Sequence, residues 1–365
     1  QISGKMLTPV DVCFLTISSI LFVMYVVFLI SLVAYRTREP LRSGFFKLTF
    51  MLGVFDVLQM AHIYVFLRFP SFGWMTEDIY LKLPPAVIHY ASCTMWALGF
   101  NQHVTVVFIA LNRLSAVVFP HDHKRRWRHS RTRLITVIIT LAGPIYVTPK
   151  LLISKEQYTI INLKIRAATI VWDNQDLLLK YKYFSFITLI IASGICFFCY
   201  CSIIYTTLKR HLMTAKRKTL ISSNRRRSSN SPVPVTVPRR KSGCTVIKPK
   251  KQDFSNFTIT RLSIKNQNRN ISSLIQKREL KLATCGFIIF FFMFIYTIGI
   301  ANMGVSESAR MQQANRGILL ATSDIFSGIN PILLIIVSKS LRSKFLAVLC
   351  CSCTERQYSP SQSNV

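Results

Sequence analysis

Seven stretches of the chain are apolar on nearly every face for the length a bilayer demands, roughly 20 residues of helix. They are Val10–Tyr35, Phe45–Phe66, Ala86–Val118, Leu134–Ile153, Tyr183–Leu208, Leu282–Met303 and Gly317–Val337. A helix with no polar side has no solvent-facing side, so each run is predicted to cross a membrane rather than to line a water-soluble core. The fourth contains Pro144 and Pro149, which membrane helices tolerate when neighbouring groups satisfy the carbonyls that proline frees. The segment Lys339–Leu349 has a different pattern. Leu341, Phe345, Val348 and Leu349 share one face, and Lys339, Arg342 and Lys344 point towards headgroups, so a short interfacial helix is expected. The predicted fold class is an all-α membrane protein, a seven-transmembrane helix bundle with a short amphipathic helix after the seventh span.

Charge then orients the bundle. A chain that is 51% hydrophobic yet carries a formal net charge of +32 must segregate the two, with its cations gathered in loops. Arg36, Arg38 and Arg42 lie in the first inter-span loop, and Lys124, Arg125, Arg126, Arg128, Arg131 and Arg133 in the third. The second has Arg68 and Lys82 against Glu77 and Asp78, and the sixth has Arg310 and Arg316 against Glu307. By the positive-inside bias the N-terminus is outside and the C-terminus inside. The apolar runs argue against a nucleic-acid-binding protein, which would spread its cations over a folded surface.

This gives an extracellular segment 1–9, read as processed or incomplete because it opens without Met, then five spans with short loops over 10–208. Residues 209–281 form a basic, Ser/Pro/Asn-rich third cytoplasmic loop predicted to be disordered, either a real insertion or a gene-model artefact. Spans six and seven occupy 282–337, and the amphipathic helix and tail 338–365. Serines follow basic clusters at Arg225–Ser229 and Arg239–Ser242, a pattern that suits either phosphorylation or a linker drawn to anionic lipid. Glycan on the sequons at Asn256 or Asn270 would reverse the orientation. No cysteine falls in an outward loop, so no extracellular disulfide set is expected. Cys196, Cys199 and Cys201 are read as helix packing, and Cys350, Cys351 and Cys353, at the end of the interfacial helix, as palmitoylation sites.

Polar residues inside the spans are costly and therefore informative. Asp56 lies near the middle of the second span, and His103 lies beside Asn101 and Gln102 in the third. Asp324, Ser327 and Asn330 are spaced three apart on the seventh, with Pro331 following as a kink site. This stripe and Asp56 are expected to face inward, forming either a hydrated network that holds a small cation or a fixed set of interhelical hydrogen bonds. No metal or cofactor is expected. His121, Asp122 and His123 lack metal-ligand spacing, and the seventh span has no lysine for a retinal Schiff base.

The order of these features resembles the rhodopsin-type G-protein-coupled receptors: an aspartate in LGVFD on the second span, Asn112-Arg113 closing the third, Tyr200 in the fifth, Asn330-Pro331 in the seventh, then a basic helix with cysteines. The strings GFFKLTFMLGVFDVL, RFPSFGW and GFNQHVTVVFIALNRLSAVVFPHDHKRRW are closer to the nematode serpentine chemoreceptors of the Srg superfamily, most like the Srv class. The resemblance implies that Arg113 is a cytoplasmic switch residue with Tyr200 as its active-state partner, and that Asp56, Ser327, Asn330 and Pro331 form the interior network. Departures are clear, because Asn112 stands where a carboxylate is usual, Leu114 where tyrosine is usual, and Leu334 where the NPxxY motif has tyrosine. If a lock holds Arg113, its acid must come from elsewhere, and Glu279 at the base of the sixth span is the acid placed for it; the alternative is an arginine held by Asn112, Tyr200 and headgroup phosphates, snorkelling to water.

The function implied is a G-protein-coupled chemosensory receptor in the plasma membrane of sensory cells. Its partners would be an extracellular small molecule or peptide, a heterotrimeric G protein and membrane lipids, with no nucleic acid. The expected ligand pocket lies in the outer halves of the third, sixth and seventh spans, at Met95, Trp96, Gly99, Tyr296 and Asp324. The alternative is a transporter or channel, which calls for inverted repeats, broken midplane helices or charges paired along a pathway, and none is visible. No activated serine or cysteine constellation suggests an enzyme.

Overall fold

The computed structural model describes residues 9–35, 43–153, 156–162, 167–172, 174–229, 281, 284–295, 298 and 309–349. Its helices are α1 (Pro9–Ala34), α2 (Gly44–Ile63), α3 (Pro85–Val118), α4 (His129–Ile153), α5 (Gln175–Ser229), α6 (Thr284–Ile295), α7 (Ala309–Val337) and α8 (Lys339–Leu349). Stretches of α1 to α5 are long and apolar enough to cross a membrane, and α6 and Thr322–Val337 are shorter apolar helices. The fold is an all-α membrane bundle. Residues Gln1–Ser202 and Leu282–Val365 make one compact unit and Ile203–Lys281 another.

Each helix sorts its residues by neighbour rather than by polarity. On α1, Ser18, Tyr25, Phe28 and Leu32 are buried at helical spacing, whereas Ile17, Ile20, Val23 and Ile30 remain exposed. Exposed aliphatic residues of this kind match lipid, and the same division runs along α4 and α5, where Ile145, Leu152, Ile191 and Phe198 face outward. One core joins Tyr25, Phe28 and Leu32 of α1 with Phe45 and Phe46 of α2, Leu334 of α7, and Leu341 and Phe345 of α8. The interfacial helix has the predicted bounds but a narrower inner face. Leu341 and Phe345 are buried one turn apart, whereas Leu349 is exposed.

α3 and α4 meet where the sequence is smallest. The Asn101 side-chain oxygen accepts the Gly143 N–H at 2.7 Å, and a Cβ on Gly143 would run into the carbonyl of Ala97. Close approach at small residues is how membrane helices gain packing when lipid supplies no hydrophobic drive. Pro144 and Pro149 both lie within α4, which continues through them.

Three boundaries differ from the sequence reading. α4 begins at His129, so Arg131 and Arg133 belong to its first turns. α5 continues past Leu208 to Ser229, so the beginning of the segment predicted to be disordered is helical; 230–280 lies outside the described residues. Finally, the fourth inter-span segment contains two strands, β1 (Glu156–Asn162) and β2 (Ala167–Trp172), paired antiparallel with Tyr158 opposite Ile170. On β1 the period of two is plain, with Glu156 and Tyr158 buried and Gln157 and Thr159 exposed.

Candidate functional site

The polar interior begins at Asp56 on α2. Its carboxylate accepts a hydrogen bond from the Tyr25 hydroxyl of α1 and another from Gln102 Nε2 of α3 at 2.7 Å. Gln102 also donates to Ser327 Oγ of α7 at 3.3 Å, and Asn330 completes the group through side-chain hydrogen bonding with Asp56 and Tyr25. Four helices thus converge on one buried carboxylate. Asp56, Ser327 and Asn330 meet here, and Gln102, which the sequence reading did not select, bridges Asp56 to Ser327. Pro331 is buried beside Asn330.

Asp324 lies two turns along the same face of α7, and its partner is unexpected. Arg68 Nη2 donates to Asp324 Oδ2 at 2.8 Å, with both side chains at least nine-tenths buried. Ser18 donates to the same oxygen at 2.9 Å, and Tyr64 reaches it at 3.4 Å. Arg68 is therefore not a loop cation but part of the second span. α2 passes directly into a π-helical turn, Tyr64–Arg68, followed by Phe69–Ser71. A π-turn inserts one residue into the helical register. The buried stripe Leu52, Asp56, Gln59 and Ile63 would continue at Phe66 and Leu67 in an unbroken α-helix. With one residue inserted, it continues at Arg68.

Pro70 explains the turn. Proline has no N–H to return to the preceding turn and crowds the carbonyl four residues back. The two carbonyls opposite it are capped by phenols instead, Val65 O by the Tyr80 hydroxyl at 2.6 Å and Phe66 O by the Tyr158 hydroxyl at 2.7 Å. Burial pushes the Tyr80 phenol up from its ordinary pKa, which keeps it a donor.

The hairpin end of the bundle holds a second buried pair. Lys150 of α4 lies 2.8 Å from Glu156 of β1, both side chains fully buried, and donates to Ser92 Oγ of α3 at 2.5 Å. Its ammonium is 6.0 Å from the Trp96 ring. Trp96 meets Tyr181 of α5 edge-on, with ring centroids 5.9 Å apart. Phe100 stacks on Tyr146 at 4.3 Å, and the Tyr181 hydroxyl donates to Tyr146 O. His103 donates to Gly99 O at 2.5 Å and stacks on Phe326 of α7. Of the residues expected to line a ligand pocket, Met95, Trp96 and Gly99 are half-buried on α3. Asp324 is committed to Arg68, and Tyr296 lies outside the described residues. Lys150, Tyr146 and Tyr181 join this wall without having been anticipated. Their signal was a basic and aromatic composition at helix ends that reads equally well as interfacial anchoring.

At the opposite end Arg113 is buried, and its guanidinium lies 3.4 Å from the centroid of Phe45 on α2. A cavity there is lined by Phe45, Arg113, Tyr200, Cys285, Gly286 and Asn330 among others, so Asn330 borders both the Asp56 network and the Arg113 cavity. Tyr200 packs its ring against the backbone of Gly286, where a Cβ would collide with it. Asn112 is buried beside Gly44. Ser115 Oγ donates to Asn112 O at 2.8 Å, accepts from Trp127 Nε1 at 2.6 Å and lies 3.0 Å from His123 Nδ1. These contacts seat the short helix Pro120–Arg126 beneath α3. Glu279, Cys350, Cys351 and Cys353 lie outside the described residues. Among the described residues no three His, Cys, Asp or Glu side chains converge to hold a metal.

A family model described as serpentine type 7TM GPCR chemoreceptor Srv matches residues 14–237 and 243–351. The Caenorhabditis elegans protein serpentine receptor class V-1 is 31% identical over 121 residues, which make up 33% of this chain and 38% of that protein. The likeness to this relative thus spans little more than a third of its length.

Proposed function

This chain belongs to the Srv family of serpentine seven-transmembrane chemoreceptors, and we propose that it detects an external small molecule or peptide at its hairpin end and signals to a G protein at its Arg113 end. The family is one of receptors rather than a known enzyme class. The observation that carries the reading is the line of buried polar residues along α7. Asp324 pairs with Arg68 near the hairpin, Ser327 and Asn330 meet the Asp56 group, and Asn330 borders the cavity that contains Arg113. A ligand that binds one packing of α7 more tightly than another shifts the population between them, and this line carries the difference to the far end.

The ligand site is the face of Met95, Trp96 and Gly99, joined by Tyr181 of α5, with Asp324 acting through its pair with Arg68; Tyr296, also expected there, lies outside the described residues. The hairpin faces outside, because the Arg113 end carries Lys124, Arg125, Arg126 and Arg128, the side that the positive-inside bias keeps in the cytoplasm. The cells would be sensory and the palmitoylated tail cytoplasmic. The test is a chemical panel applied to cells expressing the chain, with calcium or cyclic nucleotide as readout. An active compound should lose its response in Arg113→Ala and lose potency in Trp96→Ala at equal surface expression. A response undiminished in Arg113→Ala overturns the switch assignment, and a ligand-independent ion flux from reconstituted protein overturns the receptor reading.

A further inference from the structure

The geometry points to Tyr158 as a positioning residue: its hydroxyl, through the Phe66 carbonyl, holds the π-turn that aims Arg68 at Asp324, and so couples the β-hairpin to α7. The links are consecutive. Tyr158 is buried on β1 next to Glu156, which ties the same strand to Lys150 of α4 and, through that lysine, to Ser92 of α3. Tyr158 also packs edge-on against Tyr80 at 5.4 Å, so the two phenols that cap Val65 O and Phe66 O support each other.

The capped carbonyls lie within the five residues of the π-turn itself. If they lost their caps, the turn would have no donor for the carbonyls that Pro70 leaves open, and the alternative α-register carries Leu67 rather than Arg68 inward. The ion pair therefore depends on hydroxyls that touch neither of its members. Its burial makes the dependence consequential, because a buried pair deprived of one partner leaves an uncompensated charge in a medium that cannot solvate it. Two of its polar atoms, Arg68 Nε and Asp324 Oδ1, are buried without a hydrogen-bond partner, so the pair is held in place by its surroundings rather than saturated by them. A displacement of the hairpin reaches α7 through this pair. That the displacement is produced by a ligand rests on the receptor reading, but the coupling does not.

The test is a double-mutant cycle on the purified full chain, read by its thermal unfolding midpoint, which needs neither ligand nor G protein. Tyr158→Phe removes one oxygen, and in the wild-type background it is expected to lower the midpoint by about 2 °C. In an Asp324→Asn background the same change is expected to cost clearly less, only the uncapped Phe66 carbonyl remaining, because the pair that the hydroxyl positions is already gone. Thr159→Ala, on the exposed face of the same strand, is the control and should behave identically in both backgrounds. If Asp324→Asn fails to accumulate, Arg68→Lys supplies the second background, since it keeps the charge and gives up the guanidinium geometry. Equal shifts from Tyr158→Phe in both backgrounds mean that the hydroxyl stabilises only the hairpin, and the coupling is wrong. A coupled cycle in a protein that answers no ligand would leave the wiring intact and remove only the receptor reading.

Discussion

The Arg113 guanidinium lies over the Phe45 ring, 3.4 Å from its centroid, and the contact joins the end of α3 to the start of α2. With Asn112 rather than a carboxylate beside it, this arginine is held by an aromatic face. A desolvated cation–π contact is worth roughly 1–2 kcal/mol, enough to change a two-state population about five- to thirtyfold. Phe45→Leu keeps most of the apolar volume and removes the ring. Basal signalling measured at matched surface expression is expected to rise severalfold, and an unchanged baseline would show that the contact has no part in the resting state.

Tyr200 and Gly286 give a second handle on the same cavity. The tyrosine ring occupies the space that a side chain at Gly286 would fill, so Gly286→Ala forces an overpacked contact. Strain of this kind costs about 1–3 kcal/mol. The thermal midpoint should fall in Gly286→Ala and recover part of the loss in Gly286→Ala/Tyr200→Leu, where the space is returned. A double variant no better than the single one would place the strain elsewhere on α6.

On the proposed function, Trp127 bears on partner coupling rather than on ligand. Its indole N–H donates to Ser115 Oγ at 2.6 Å, and the short basic helix between them, Pro120–Arg126, is seated by that bond. Trp127→Phe keeps the ring packing and loses the donor, a net change of about 1 kcal/mol. The maximal G-protein response should drop, whereas the ligand concentration for half response should stay put. A shift in that concentration instead would mean the helix communicates with the far end.

Much of this was legible in the sequence, for a physical reason. Lipid demands helices that are apolar all round, so the seven runs and the two-faced Lys339–Leu349 stood out, and every polar residue within a run was conspicuous. Asp324, Ser327 and Asn330 could be grouped because three-residue spacing places them along one face of a helix. Arg68 was misplaced because periodicity assumes one register, and a single π-turn moves the inward stripe by one residue; Pro70 was the available signal. Phe45 was missed because a cation–π pair leaves no trace in charge patterning. The hairpin was hidden by Lys164 and Arg166, although Gln157 to Ile160 alternate as a strand does.

Lys150 and Glu156 form a buried pair, and their burial sets the sharpest contrast between variants. The pair is 2.8 Å apart with no exposed side-chain surface, and Lys150 spends a further hydrogen bond on Ser92. It joins hairpin, α4 and α3. Glu156→Gln leaves the ammonium buried without a counter-charge, which typically costs about 3–5 kcal/mol, whereas exchanging both members for apolar residues is often close to neutral. Surface delivery and thermal midpoint should therefore fall sharply in Glu156→Gln and return most of the way in Lys150→Met/Glu156→Leu. If the single variant is as stable as the wild type, the charge pair is not what fastens the hairpin. Tyr80 and Tyr158, with the apolar cluster of Ile88, Ala168 and Ile170 around them, then carry that task, and Tyr158→Phe should cost more than its one hydrogen bond.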